Sequence, residues 1–381
     1  MKRKLASTFL LGSALIFSAT AAVAQQQQQQ GGISSVGNIT RPGSFADQGY
    51  GTFMSNLNQG AIAGGLAGKV VVQGHPLLWE PIVVLLSCSP EKPDMTVPTD
   101  PSGNYFIDHA NLPKVYTTDK DAVNIQLSQH YEGCTLQAPL AGYHSTSVRI
   151  TEKNLRDKPV MDNIVLTTDE RASGTAFSTV GASDSPEAAR LFDKAHDEWL
   201  HGRTDAARID LQQAVKLSPH FAQAWYYLGR IQMASNLSDG AASLTKAHEA
   251  DPKFVPPCIY LGQIAMGKRD WTGAEKWTNQ ALTLDPAGTP LLWYVNGQAH
   301  YHLGHNEAAV HAAQKAVDLD PEHNLPNAED LLALTLVARH DYQQALVHLR
   351  NSLNYILSGP SADLIKRQIA FVEQQSAAEK K

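Results

Sequence analysis

The apolar positions of this chain change their period once. Between about residues 68 and 168 they fall in short runs set apart by Pro, Gly and Asp, and from about residue 185 they recur at helical spacing. Four prolines punctuate the later part: Leu217-Ser218-Pro219, Ala250-Asp251-Pro252, Leu284-Asp285-Pro286 and Leu319-Asp320-Pro321, with Pro positions 33, 34 and 35 residues apart. A period of about 34 residues closed by Pro predicts stacked helix–turn–helix units, since no single unit buries its apolar face alone. Ser185-Pro186-Glu187 opens the array with a Ser cap, Pro at the first helical position and an acid in the first turn. Ser361 to Gln375 reads as a capping helix behind about five repeats.

The earlier part predicts strands at Lys69–Val72, Ile82–Cys88, Tyr105–Ile107, Ala122–Leu127, Cys134–Ala138, Ser145–Ile150 and Asn163–Leu166. Seven short runs in about 100 residues predict a small all-β sandwich. The landmarks resemble the carboxypeptidase regulatory-like family, a transthyretin-like sandwich. They are Gly68-Lys69-Val70-Val71-Val72, Pro81-Ile82-Val83-Val84-Leu85, the expected hairpin Thr99-Asp100-Pro101-Ser102-Gly103-Asn104-Tyr105-Phe106 and the turn Gly142-Tyr143-His144-Ser145. The resemblance spans 68–168 and implies a non-catalytic module serving adhesion, folding support or weak glycan contact.

The helical units resemble tetratricopeptide repeats. Trp225-Tyr226-Tyr227-Leu228-Gly229 carries the W-x2-L-G core of that pattern, Leu261-Gly262 continues it with Cys258 in the Trp place, and Trp293 with Gly297 follows with Asn296 in the Leu place. The first unit, from Leu191 to Pro219, and the fifth, from Leu332 to Ser352, depart further, as terminal repeats do. Gly229, Gly262 and Gly297 are expected to let paired helices approach, with Trp225, Leu228, Leu261 and Trp293 filling the core. The resemblance implies a right-handed helical solenoid whose concave groove is lined by one stripe of each first helix. Here that stripe holds Phe192, His196 and Trp199; Tyr226, Arg230 and Met233; Ile259, Gln263 and Met266; and Tyr294, Gln298, Tyr301 and His302. Aromatic, Met and Arg residues are enriched where proteins bind proteins; packing against neighbouring helices is the competing role. Arg230 is the one cation of the stripe, which argues against a clamp for C-terminal carboxylates.

Composition narrows the partners. The net charge is −6 and no basic run follows the N-terminus, against nucleic acid and anionic membranes. The N-terminus itself reads as a secretory signal over 1–24: Met1-Lys2-Arg3-Lys4, an apolar stretch from Leu5 to Thr20, and Ala22-Val23-Ala24 before the cut. Residues 25–67, opening with six glutamines, read as a flexible tether, and 169–184 as a linker. No later apolar run is long enough to span a membrane, so the chain is expected to be exported, periplasmic or secreted.

Motifs with catalytic chemistry do not assemble. Ser243-Leu244-Thr245-Lys246 fits S-x-x-K without its companion motifs and falls in a repeat helix. Asp100, Ser102 and Asn104 start a calcium-loop spacing that nothing completes. His300 and His302 diverge on a helix, and His302 with His305 shares an edge at its end, which does not amount to a metal site. No cofactor, metal or catalytic group is expected. In an exported chain, Cys88 and Cys134, at the ends of two sandwich strands, are expected to form a disulfide, and Cys258 a buried thiol. The sequence thus predicts an exported, non-enzymatic scaffold for protein or peptide partners. The alternative is an envelope-associated module whose sandwich binds glycan while the repeats act as spacer.

Overall fold

Among the described residues, eight short strands build two four-stranded sheets, and eleven long helices follow. The computed structural model describes residues 65–73, 79–88, 95–108, 131–156, 160–320, 323–355 and 359–379. The expected signal, the expected tether up to residue 64 and the expected strand Ala122–Leu127 lie outside them.

The strands are β1 (Gly65–Val72), β2 (Val83–Ser87), β3 (Met95–Pro98), β4 (Asn104–Asp108), β5 (Thr135–Gln137), β6 (Tyr143–Ser145), β7 (Val148–Arg149) and β8 (Ile164–Thr168). One sheet runs β4-β1-β8-β6, with β1 and β8 parallel; the other runs β3-β2-β5-β7, all antiparallel. Alternation drives the packing: Val84 and Leu86 on β2, and Ile164 and Leu166 on β8, are buried while their neighbours are not. Side chains of both sheets meet in one core with Val70, Tyr105, Leu136 and Ile150. Cys88 and Cys134 are disulfide-bonded, with Cα atoms 4.2 Å apart, tying the end of β2 to the start of β5.

Two sequence expectations change here. The segment 99–104 is not a hairpin, because β3 and β4 belong to different sheets. It is a corner: Asp100 Oδ1 accepts from the Ser102 and Asn104 amides at 2.8 and 2.7 Å, and Gly103 takes the left-handed φ of 83° that the crossing needs. The run 145–150 also divides, β6 joining one sheet and β7 the other. Thr146, between them, is spent on β8, its Oγ1 accepting from the Val165 amide at 2.8 Å. β3, where Pro98 and the charged flanks hid the period, went unread.

The helices are a short α1 (Glu152–Arg156), then α2 (Pro186–Leu200), α3 (Thr204–Leu217), α4 (Ala222–Met233), α5 (Leu237–Ala250), α6 (Val255–Gly267), α7 (Trp271–Leu284), α8 (Pro290–Leu303), α9 (Asn306–Asp318), α10 (Asn327–Ala338), α11 (Tyr342–Tyr355) and α12 (Pro360–Glu379). Ser185 caps α2 as read, its Oγ accepting from the Ala188 amide at 3.2 Å. The repeat glycines sit at close approaches: a Cβ on Gly229 would lie 2.9 Å from Leu244 Cγ, one on Gly262 2.8 Å from Thr278 Cγ2, and one on Gly297 3.0 Å from Leu331 Cδ2. Trp225 and Trp293 are half-buried rather than core. Each indole N–H donates to a carbonyl six residues back, at Pro219 (2.8 Å) and Ala287 (3.0 Å), so the tryptophans fasten the turns between repeats. Asn296 in the Leu place is buried and donates to Thr278 Oγ1 and Asn279 Oδ1 at 2.9 and 2.8 Å.

The chain divides into two compact units. The first comprises the described residues up to Pro257 with Thr283–Asp285; the second comprises Cys258–Leu282 and the residues from Pro286 on. In the first, the expected linker is pinned to the helices. Ala222 N donates to Val180 O at 3.2 Å, Ser218 Oγ to Gly181 O at 2.9 Å, and Ser178 Oγ to Asp251 Oδ2 at 2.6 Å. Thr175 pairs with the Lys253–Val255 backbone as an isolated bridge.

Candidate partner-binding site

The stripe of first-helix residues divides between the two units and has a different character in each. In the first unit it is already covered. Trp79, in the bend before β2, is buried on α2 and α4: its ring stacks on Tyr227 with centroids 4.1 Å apart and lies 5.3, 5.1 and 6.4 Å from Phe192, His196 and Trp199. Glu80 follows with its carboxylate. Tyr226 Oη donates to Glu80 Oε1 at 2.7 Å, and the Arg230 guanidinium binds the same oxygen while lying 5.7 Å over the Tyr226 ring. The geometry follows from helical spacing. Residues 192, 196 and 199, and 226 and 230, fall on one face of their helices, and the pair of helices offers an aromatic floor with a cationic rim. Glu80 keeps 38% of its side-chain surface exposed, so the acid sits at the mouth and the indole beneath it. The indole Nε1 of Trp79 is buried with no hydrogen-bond partner among the described residues.

Trp79 and Glu80 were missed by sequence reasoning, as was Tyr227. The signal present was slight: an aromatic–acidic pair directly before Pro81 and a strand, in a segment with no other large aromatic nearby. Met233, the remaining stripe residue of this unit, is half-buried and lies against Gly240, where a Cβ would come 2.7 Å from its Cγ.

In the second unit the stripe holds Ile259, Gln263, Met266, Tyr294, Gln298, Tyr301 and His302. Several of these pack on neighbouring helices. Met266 lies against the small core of Ala265, Ala274 and Ala299, and Tyr294 and Tyr301 lie against the core of α9 to α12. Burial pushes the Tyr294 hydroxyl up to about 12, although Gln298 Nε2 donates to its oxygen at 3.0 Å, and burial raises Tyr301 as well. His302 stacks on Trp271 at 3.8 Å; burial, with the nearby Arg269 charge adding, lowers its pKa. Gln263 is different. It is 7% exposed, and its side-chain oxygen has no hydrogen-bond partner among the described residues. A buried orphan of this kind costs about 1–3 kcal/mol until a donor meets it.

The other motifs disperse. Ser243 Oγ donates to Gln232 Oε1 at 2.6 Å between helices, while Lys246 lies 4.2 Å over the Trp225 ring, so the S-x-x-K residues share no site. The Asp100 carboxylate is consumed by its corner, taking the Asn104 side-chain amide on Oδ2 at 2.8 Å. Cys258 is buried and outside any disulfide, its thiol pushed up to about 12 by burial. Among the histidines, His305 lies with His300, not with His302: the two Nδ1 atoms are 3.5 Å apart. No helix among the described residues is long and apolar enough to cross a membrane.

No curated protein matches the chain in sequence. Residues 181–253 and 290–323 match the tetratricopeptide repeat family. Among solved structures, MamA 41-end from Desulfovibrio magneticus RS-1 is 20% identical with a TM-score of 0.40, covering 46% of this chain and 98% of its own. YrrB, described as a tetratricopeptide repeat protein with an unusual peptide-binding site, is 16% identical with a TM-score of 0.43, over 49% of this chain and 94% of its own. A tetratricopeptide repeat protein from Parabacteroides merdae ATCC 43184 is 17% identical with a TM-score of 0.42, over 51% of this chain and 76% of its own. The helical part of this chain, behind its two β-sheets, is an array carrying tetratricopeptide repeats.

Proposed function

We propose that this chain is an exported, non-enzymatic scaffold that binds protein or peptide segments along the first-helix stripe of its repeats. The β region, read as a carboxypeptidase regulatory-like sandwich, acts as an accessory folding module. One observation carries the reading: the stripe already holds an aromatic–acidic pair, Trp79-Glu80, with the ring on Tyr227 and the carboxylate on Tyr226 and Arg230. The residue types at these spacings therefore make a seat for a side-chain pair of a passing chain. In the first two repeats the occupant belongs to the protein itself. The stripe of the second unit is where a separate partner would bind, and Gln263 there carries a side-chain oxygen with no hydrogen-bond partner among the described residues. Arg230 is engaged by Glu80, so partner capture there does not depend on a carboxylate clamp. The export reading rests on the sequence of residues 1–24.

A display library of linear peptides selected on the full chain tests this, followed by titration of the selected peptides against Gln263→Met with Gln298→Ala. Tenfold weaker binding with no fall in melting temperature is expected. If no peptide is enriched, or the selected peptides bind the double variant equally well, the stripe of the second unit is not the site.

A further inference from the structure

Three metal-ligating side chains converge at the turn after α8, within the second unit, and the partner-binding reading uses none of them. Glu275 comes from the first half of α7, His300 from the last turn of α8, and His305 from the residue before α9. The turn brings the histidines together. Gly304 adopts a left-handed φ of 76°, the His305 amide donates back to the His300 carbonyl at 2.9 Å, and the two rings come to lie 5.7 Å apart. Helical spacing alone would not have paired them, because the chain reverses between them.

His305 Nδ1 lies 2.9 Å from Glu275 Oε1, His300 Nδ1 lies 3.1 Å from the same oxygen, and the two nitrogens are 3.5 Å apart. We propose that Glu275, His300 and His305 form a binding site for one divalent transition-metal ion, zinc by preference. Zinc bonds of about 2.0–2.2 Å in a tetrahedron place neighbouring ligand atoms about 3.3–3.5 Å apart, so this triangle needs to open by only a few tenths of an ångström. Two imidazoles and a carboxylate are a donor set that suits zinc, and magnesium and calcium far less. It is the one such grouping among the described residues. Burial grades across it, with His300 9% exposed, Glu275 half-buried and His305 exposed. The inner ligands are thus held by the repeat core, while the outer side leaves a fourth position to water. Without an ion, one carboxylate oxygen lies within hydrogen-bond reach of both imidazole Nδ1 atoms. A cation would take one lone pair from each of the three atoms.

The experiment uses the full chain, stripped with a chelator and titrated with zinc by calorimetry, with cobalt absorption as a second readout of tetrahedral nitrogen–oxygen ligation. One equivalent is expected, together with a zinc-dependent rise in melting temperature. His305→Ala, at an exposed position, and Glu275→Gln should each weaken binding at least tenfold and abolish the shift. His302→Ala and His311→Ala, whose rings stack on Trp271 and meet Trp293 edge-on, should leave both intact. Absence of stoichiometric zinc overturns the proposal. So does equal binding by His305→Ala and Glu275→Gln, which would mean an adventitious ion only.

Discussion

The two stretches of the stripe use similar residues to different ends. On α2 and α4, aromatic rings and one arginine close over Trp79 and Glu80, so Tyr226 and Arg230 have their polar partner inside the chain. In the second unit, Tyr294 and Tyr301 turn to packing, and Gln263 is left with a buried oxygen and no donor among the described residues. The lesson concerns what a groove residue is. Position on a helix face decides which side chains could bind; whether they do depends on what else in the chain reaches them first. Tyr226→Ala is consequently a poor probe of partner binding, since it removes the hydroxyl that holds Glu80.

The first stretch leans on Trp79 and Glu80, just ahead of β2, and the β region is cross-linked by Cys88–Cys134 across a sequence separation of 46. In the chain-entropy model a loop of that length is worth about 4 kcal/mol. Reduction should lower the melting of the first unit and leave the second nearly unmoved; hydrogen exchange resolved by segment reads both, and equal loosening of α10 and α11 would count against the separation. Next in size is the seat itself. Trp79→Ala should cost about 3 kcal/mol, the ordinary penalty for emptying a buried aromatic site. A double variant, Trp79→Ala with Glu80→Ala, should capture a synthetic peptide of residues 74–82 in trans, whereas the unaltered chain should not. Failure of the double variant to bind it would show that the seat holds its occupant only by tethering.

On the other side, Asp330 supplies a pH test. Burial, aided by the Glu329 charge and opposed by Ser352, pushes its carboxyl from 3.8 up to about 6. The folded state therefore prefers the protonated acid. This group's contribution to stability is greatest below about pH 4, declines as pH rises towards 6, and is flat beyond. The full swing is on the order of 2–3 kcal/mol for a shift of this size. Asp330→Asn should remove that decline and be the more stable protein at pH 7 in urea denaturation; a variant no more stable than the parent at pH 7 would refute the burial argument. Smallest is Gln263→Met, which deletes the orphan oxygen and should raise stability by about 1 kcal/mol. A loss instead would mean that the oxygen has a donor in solution.

Much of the array was legible because repeats are local. Pro every 33 to 35 residues, Gly at each close approach and the Ser185 cap report contacts made within a unit or with its neighbour, and the last helix, expected over 361–375, runs Pro360–Glu379. Even Asn296, a misfit in the pattern, has its complement in Thr278, although one sequence cannot reveal that the two face each other. The β region was legible only in its alternation. Which sheet a strand joins is set by corners such as 99–104 and Thr146, where a side chain takes a hydrogen bond that a ladder would otherwise make. Period-2 patterning is the same for a hairpin and for a crossing, so it could not decide between them.

The sequence by itself determined the helical repeats, the stripe that their first helices present and the strand-forming runs ahead of them, because each depends on neighbours within one turn or one repeat. Tertiary structure alone decided that Trp79 and Glu80 cover the first part of that stripe and that His305 meets His300 and Glu275. The partners in the first case stand 146 and 150 residues apart, and in the second 30 residues separate Glu275 from His305. No local period encodes such meetings; they arise where a bend or a left-handed glycine returns the chain onto a surface already built.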